Sequence, residues 1–338
     1  GRKIFYQFTE LVGKNYFRKF SKLRLYTRMF ELMLSLSYSL IIVFFNRPRI
    51  INYSMTSNFY IEYLFLKLVN LSKRTLIIIT CHDVMPFHTF YSDLEKESNK
   101  RTKFYALADY LLIHNKNSKE DLVNFYKINP SKIISHDFPI MDLKHFQLTK
   151  VAKIDLIPDF KKKILFVGHA RLEKGLEVLI DAWKLGVPKN LHLTVASKIP
   201  IDSKFKFSEI QGKNFTLIDK YLSDAEYVSI IRHHDFVILP YTKGTNSGIP
   251  SSVLSQGSIP VCSDISMFQN NELLSKYDLF KAGSSKALFD KLVQLSLLSD
   301  IEIKEKQKTM IKNYNKYRLK FSKNTIFTYK KIFDLLNG

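Results

Sequence analysis

Nine short runs of β-branched and other aliphatic residues recur along this chain, and segments with helical spacing separate most of them. That alternation admits few architectures. The runs lie at 49–53 (RIINY), 75–80 (TLIIIT), 110–113 (YLLI), 132–135 (KIIS), 163–167 (KILFV), 191–196 (LHLTVA), 214–218 (NFTLI), 235–239 (DFVIL) and 259–262 (IPVC). Between them, 58–71, 117–126, 175–185, 223–232 and 284–298 place apolar residues on one helical face. Strands that alternate with helices pair in parallel through crossover connections, so the fold class is α/β. TLIIIT and KILFV are apolar throughout rather than at every second position, which predicts strands covered on both faces.

At 338 residues the chain exceeds one ordinary core and suits two domains of about 150 residues each. The periodicity fails near 140–162, a stretch that contains Pro158 and ends in three lysines. We therefore expect a first domain over 1–150, a linker over 151–162 and a second domain over 163–300. A helical tail over 301–338, rich in Lys and Tyr, is expected to pack back towards the first domain. The longest apolar run, Leu32 to Phe45, falls short of the 18–20 residues, roughly, that cross a bilayer. It reads as a buried helix leading into a strand. The N-terminus has no short apolar core followed by small residues, and Cys81 and Cys262 sit in strand-like apolar runs as buried, reduced thiols would. A cytoplasmic protein, soluble or peripheral, is the expectation.

The formal net charge is +21. Lys and Arg outnumber acids thirteen to three through residue 80 and ten to three from 301 onward. Such a balance attracts polyanions. Nucleic acid is the weakest of these partners, because no recognition fold accompanies the charge. Within 14–28, Lys14, Arg18, Lys19, Lys22, Arg24 and Arg28 interleave with Tyr16, Phe17, Phe20 and Tyr26. That pattern suits anionic lipid headgroups and equally a solvated face with snorkelling lysines.

Two segments carry the chemistry. In KILFVGHARLEKG (163–175) a strand ends at Val167, Gly168 lets the backbone turn close to a ligand, and a helix is expected to begin near Lys174. Arg171 and Lys174 then project from the loop and the first turn, where a diphosphate would meet free N–H groups, the positive end of the helix and two cations. In LPYTKGTNSGIPSSVLSQGSIPVCSD (239–264) a loop holding Gly244, Thr245 and Asn246 leads to a helix expected near Ser247. Ser247, Gly248, Ser251 and Ser252 give that helix an N-terminus of small residues and bare amides, which favours an anion. Either segment alone is also an ordinary strand–turn–helix. Two open helix ends at strand tips of one sheet point to a ligand site, because open α/β sheets bind ligands at the carboxyl ends of their strands.

On these residues the second half resembles the donor domain of GT-B glycosyltransferases, the large bacterial family 4-like group of polysaccharide and lipid-glycan transferases. GHARLEKG followed by LEVLIDAW resembles the family's strand, G-R, K-G and hydrophobic helix. YLSDAEYVSIIRHHDFVILPY (221–241) and SGIPSSVLSQGSIPVCSD (247–264) are similar to its later helix and strand segments. The resemblance implies two Rossmann-like, doubly wound domains facing a central cleft. It implies donor diphosphate binding by Gly168, Arg171, Lys174, Ser247 and Gly248, and nucleoside or sugar contacts from Lys220, Tyr221, Thr245, Asn246 and Ser252. In the first half, TLIIITCHDVMPF (75–87) resembles the family's strand and histidine segment, which implies a catalytic role for His82 with Asp83 beside it. His114, Asn115, His136 and Asp137 end further strands, as site or structural residues.

The chain departs from the family in two places. The usual glutamate pair falls at Gly244 and Ser252, and the usual opening strand and glycine-rich loop are replaced by GRKIFYQFTELVGKNYFRKF. What the resemblance implies is transfer of a sugar from a UDP- or GDP-type donor to a glycan or polyprenyl-linked acceptor in bacterial surface polysaccharide or glycoconjugate assembly. The enzyme would work without a metal or bound cofactor, peripheral to the inner face of the plasma membrane, where Lys14, Arg18, Lys19 and Lys22 would meet anionic lipid. The alternative is a non-catalytic GT-B subunit that binds donor or stabilises an active transferase.

Overall fold

The computed structural model describes residues 21–334 except 55–58, 73–74, 86–93, 141–161, 201–202, 204, 211, 213, 245 and 275–277. It divides into two compact units, 1–135 with 335–338 and 136–334. The sequence-derived linker at 151–162 lies almost wholly outside the described residues, as do Lys14, Arg18, Lys19 and Thr245.

The first unit runs α1 (Ser21–Asn46), β1 (Ile50–Tyr53), α2 (Phe59–Asn70), β2 (Leu76–Cys81), α3 (Leu94–Tyr105), β3 (Tyr110–Ile113), α4 (Lys116–Asn124) and β4 (Ile133–Ser135). Its four strands pair in parallel and in chain order. Ile77, Ile79, Cys81, Leu111 and Ile113 share one buried cluster with Phe65, Val69 and Leu122 from the helices. Asp109 sets the register between β2 and β3: its amide donates to the Ile77 carbonyl at 2.9 Å, and its carboxylate accepts from the Ile77 amide at 2.8 Å.

α1 corrects the reading of 32–45 as a buried helix. The helix forms and leads into β1 through Arg47 (φ 46°), but only its inner stripe, Leu36, Leu40 and Val43, packs on the core. Phe30, Met33, Leu34, Ile41, Phe44 and Phe45 stand exposed on the outer stripe. The apolar stretch is also longer than the sequence reading allowed. Met29–Asn46 spans 18 residues at a mean hydropathy of 1.7, because four serines and tyrosines interrupt it without breaking helical phase.

The second unit runs β5 (Lys162–Val167), α5 (Leu176–Lys184), β6 (Leu191–Ala196), β7 (Phe215–Ile218), α6 (Asp224–Arg232), β8 (Phe236–Leu239), α7 (Ile249–Gln256), β9 (Ile259–Ser263), α8 (Ser266–Gln269), β10 (Leu279–Phe280), α9 (Ser285–Leu297) and α10 (Asp300–Asp334). All its pairings are parallel, in the order β10-β9-β8-β5-β6-β7. Alternate residues of β5 enter different cores. Ile164 and Phe166 join Trp183 and Leu288 on one side, while Leu165 and Val167 join Ile230 and Val253 on the other. Helices therefore cover both faces, as continuous apolarity in KILFV predicts. The device that aligns β2 with β3 recurs here, since Asp235 accepts from the Lys163 amide at 2.9 Å and donates its own amide to the Lys163 carbonyl.

Candidate functional site

Strand order locates the site in the second unit. β5 lies beside β8, yet the connection from β5 leads to β6 on one side and that from β8 leads to β9 on the other. The two chains leaving these neighbouring strands diverge, and this is the switch point where open α/β sheets leave a crevice for ligands. The turn 168–175 follows β5 there, and residues 240–244 and 246–248 follow β8.

Those turns are held together by their backbones. Gly175 adopts a left-handed φ of 66°, and a Cβ there would lie 1.8 Å from the carbonyl oxygen of Pro240. Glycine is therefore required both for the conformation and for the approach. The Thr242 amide donates to the Glu173 carbonyl at 3.0 Å and closes the contact from the other side. Gly168, with φ 123°, abuts Ile249, whose Cδ1 would sit 3.1 Å from an added Cβ. The strand turn thus rests on the first residue of α7.

Arg171 precedes and Lys174 ends a 3-10 turn, Leu172–Lys174, that leads to α5. The helix proper begins at Leu176 rather than at Lys174, because Gly175 in its left-handed conformation interrupts the winding. Lys174 Nζ lies 3.8 Å above the ring of Tyr241, a cation–π seat that fixes the ammonium at the strand tip. Arg171 is exposed, with its guanidinium 3.8 Å from Glu173 Oε1. Tyr241 is 1% exposed. Burial raises its hydroxyl's pKa, so it stays a neutral phenol, and it lies 3.4 Å from Ser247 Oγ.

Gly248 caps α7 without a side-chain hydrogen bond. Ser251 and Ser252 turn their hydroxyls back to the Gly248 carbonyl at 2.8 and 3.1 Å, so they do not consume the first-turn N–H groups. Ser247 Oγ accepts weakly from the Ile249 amide at 3.4 Å. Ser252 is fully buried, and its hydroxyl also interacts with Tyr227. It is a packing residue of the helix more than a lining residue of the turn.

The other sequence-derived residues fall into three places. Lys220 forms an ion pair with Glu226 at 2.5 Å, and that bond holds the Glu226 carboxyl down at about 2. Glu226 also completes the capping box of α6 with Ser223. Tyr221 is 65% exposed and meets the His169 ring edge-on at 6.3 Å, which brings 221 to the β5 turn. In the first unit, parallel pairing of β2 with β3 sets the His82 and His114 rings 5.2 Å apart. The His82–Asp83 turn is anchored below by the Val84 carbonyl, which accepts from Arg101, Tyr105 and Tyr126. Asn115 caps α4 by accepting from the Ser118 amide at 2.7 Å. His136 and Asp137 bond to Thr325 and Asn324 of α10 at 3.2 and 2.8 Å. Among the described residues no three His, Cys, Asp or Glu side chains gather as metal ligands would.

Sequence reasoning missed Tyr241, Pro240 and His169. An aromatic residue closing a strand beside a proline was the available signal. Its meaning depends on Lys174, 67 positions away, and only the fold brings the two together.

No protein-family model matches the chain, and no curated protein matches it. Solved structures do. An α,α-trehalose-phosphate synthase (UDP-forming) from Burkholderia vietnamiensis superposes with a TM-score of 0.65 at 10% identity, covering 86% of this chain and 73% of the other. A glycosyltransferase from Rickettsia africae ESF-5 gives 0.63 at 14%, covering 89% and 81%. Anabaena HepE in complex with UDP-glucose gives 0.64 at 13%, also covering 89% and 81%. These neighbours are GT-B glycosyltransferases. At such identities the likeness is one of fold: the chain is α/β with two Rossmann-like units of the GT-B type.

Proposed function

We propose that this chain is a glycosyltransferase that uses a nucleotide-diphosphate sugar. One observation carries the reading: at the switch point of the second sheet, two turns clamped through Gly175 present a seated ammonium, an exposed guanidinium and the weakly capped N-terminus of an eight-residue helix. Amides and cations so placed suit a diphosphate. As the bond from sugar to diphosphate breaks, charge grows on the departing phosphate, and donors already in position stabilise it without reorganising. UDP and UDP-glucose occupy solved HepE structures of similar fold, which supports a UDP-type donor.

The finer assignments extend this reading. Gly168, Arg171, Lys174, Ser247 and Gly248 hold the diphosphate; Lys220, Tyr221, Thr245 and Asn246 serve the nucleoside and sugar; Ser252 shapes the helix behind them. His82 and Asp83 of the first unit assist at the transferred sugar, a role that histidine and carboxylate chemistry near neutral pH allows. The acceptor is a glycan or polyprenyl-linked glycan of the bacterial surface, met at the inner face of the plasma membrane, with membership of the family 4-like group. No bound metal or cofactor is needed in this scheme.

The test is turnover with a panel of UDP-, GDP- and dTDP-sugars on polyprenyl-linked acceptors. Arg171→Ala or Lys174→Ala should lower turnover roughly 10²-fold with unchanged circular dichroism. Undiminished turnover in both variants removes the donor-site assignment. Donor binding without transfer by the folded parent chain would favour the non-catalytic subunit instead.

A further inference from the structure

The outer surface of the first unit holds apolar residues in phase on two packed helices. On α1, Tyr26, Phe30, Met33, Leu34, Ile41, Phe44 and Phe45 are exposed, Phe45 to 82%. Their spacing of three, four and seven keeps them on one stripe. On α2 and the turn that follows it, Tyr60, Leu64 and Leu71 are exposed at the same spacing, and the two helices join through a shared core. Soluble proteins seldom expose an apolar patch of this extent without a partner.

We infer that the α1–α2 face docks on an anionic phospholipid bilayer, with α1 lying in the plane of the interface. The inference deepens the membrane part of the proposed function and is independent of its donor chemistry. Charge selects the occupant. Exposed Lys67 stands within the α2 stripe between Leu64 and Leu71, and exposed Arg47 follows the last turn of α1. Among the described residues no ion pair engages the Arg47 guanidinium. Lys22, Arg24 and Arg28 begin the helix, whose sole acid is Glu31. The exposed cations Arg47 and Lys67 and the aromatic residues along the stripe match the headgroup and upper acyl levels of an anionic leaflet. A second copy of this face would bring the same cations together. At the Arg47 end the stripe runs into a small cavity lined by Val43, Phe44, Arg47, Ser72 and Thr75, where Ser72 Oγ is buried without a partner. A headgroup phosphate would find a guanidinium and a hydroxyl there.

Packing decides between lying in the membrane and crossing it. Met29–Asn46 is long and apolar enough to cross, but Leu36, Leu40 and Val43 pack on the first unit's core. A crossing helix would have to withdraw all three. A helix that keeps its inner stripe on the protein offers only its outer stripe to lipid.

The experiment is flotation of the full chain with vesicles of phosphatidylcholine containing 30% phosphatidylglycerol, roughly the anionic content that recruits basic surfaces, against phosphatidylcholine alone. The parent chain should float with the anionic vesicles, and Phe30→Ser with Ile41→Ser and Phe45→Ser should weaken binding at least tenfold with unchanged thermal unfolding. A separate Phe45→Trp variant gives a depth readout, since the native Trp183 is fully buried and contributes a constant signal. Its emission should shift to the blue on vesicles and be quenched more by bromine high on the acyl chain than by bromine near its end. Failure of the parent to float, or equal flotation of the triple variant, overturns the inference. So does stronger quenching from the bilayer centre, or a lipid-free dimer that the triple variant abolishes. Because no nucleotide is present, none of these outcomes bears on sugar transfer.

Discussion

At the residue scale, Gly175 and His234 show how single positions carry constraints that the sequence states only in part. The G-H-A-R…K-G segment is legible as a strand-to-helix turn because glycine and polar residues end the apolar run of β5. The reason for Gly175 is not, because it lies in the carbonyl of Pro240, 65 positions away. Gly175→Ala would place a methyl inside backbone and strain a left-handed φ. We expect a loss of at least about 2 kcal/mol, measured by urea unfolding, together with loss of donor binding as the two turns part. A variant as stable as the parent would show that the clamp is dispensable. His234 is 2% exposed; its Nδ1 faces the Ile230 carbonyl at 2.6 Å and its Nε2 faces the Thr194 hydroxyl at 2.9 Å. A carbonyl only accepts, so Nδ1 carries the proton and Nε2 accepts from Thr194. A proton on Nε2 would reverse that bond and place a charge in the core, and burial depresses the pKa to about 4. Below its unfolded value of about 6.5 the unfolded chain takes up a proton that the folded chain refuses. Stability is therefore full above that pH and falls as pH drops towards 4, by about 3 kcal/mol from this group. His234→Gln should flatten that part of the stability curve, and an unchanged slope between pH 6.5 and 4 would place the acid sensitivity elsewhere.

At the element scale, strands buried on both faces were the easiest features to read. KILFV and LHLTVA declare themselves by composition, and their observed bounds fall within a residue of the expected ones. Helices with strong caps were nearly as plain: S-D-A-E announces the capping box of α6. α3 was not legible, because LEKESNKRTKFY is almost wholly polar and its helical period has few apolar marks. α1 misled for the opposite reason, since an apolar run does not say which of its stripes finds a partner. α7 accounts for the departure at 252. Ser252 is fully buried and its hydroxyl returns to the Gly248 carbonyl, so the position has no room for an acid reaching a ribose. Ser252→Glu should therefore cost at least about 2 kcal/mol, the order expected when a polar group is buried without partners, and should not tighten UDP binding. Tighter binding by a stably folded variant, read by calorimetry, would show that the helix face opens towards the nucleoside.

At the scale of the whole molecule, the proposed diphosphate site falls in the second unit, while the apolar stripes of α1 and α2 lie in the first. The excess of +21 predicts attraction to polyanions but cannot say where an anion rests, because surface cations are mobile and screened. Strand order can: the switch between β5 and β8 singles out one pair of turns. If the diphosphate is what that pair grips, UDP or GDP without a sugar should raise the unfolding temperature while uridine or guanosine does little. Stabilisation by a ligand that binds only the folded state reaches about 2.7 kcal/mol at a hundredfold excess over Kd. Hydrogen exchange should slow in 168–176 and 240–252 and leave β1 to β4 unchanged. The shift should shrink as salt rises, since Arg171 is exposed and screened, yet persist in part through Lys174 on its aromatic seat. Equal shifts from nucleoside and nucleotide would place recognition on the base alone. Protection confined to the first unit would move the ligand off the second sheet and take the transferase reading with it.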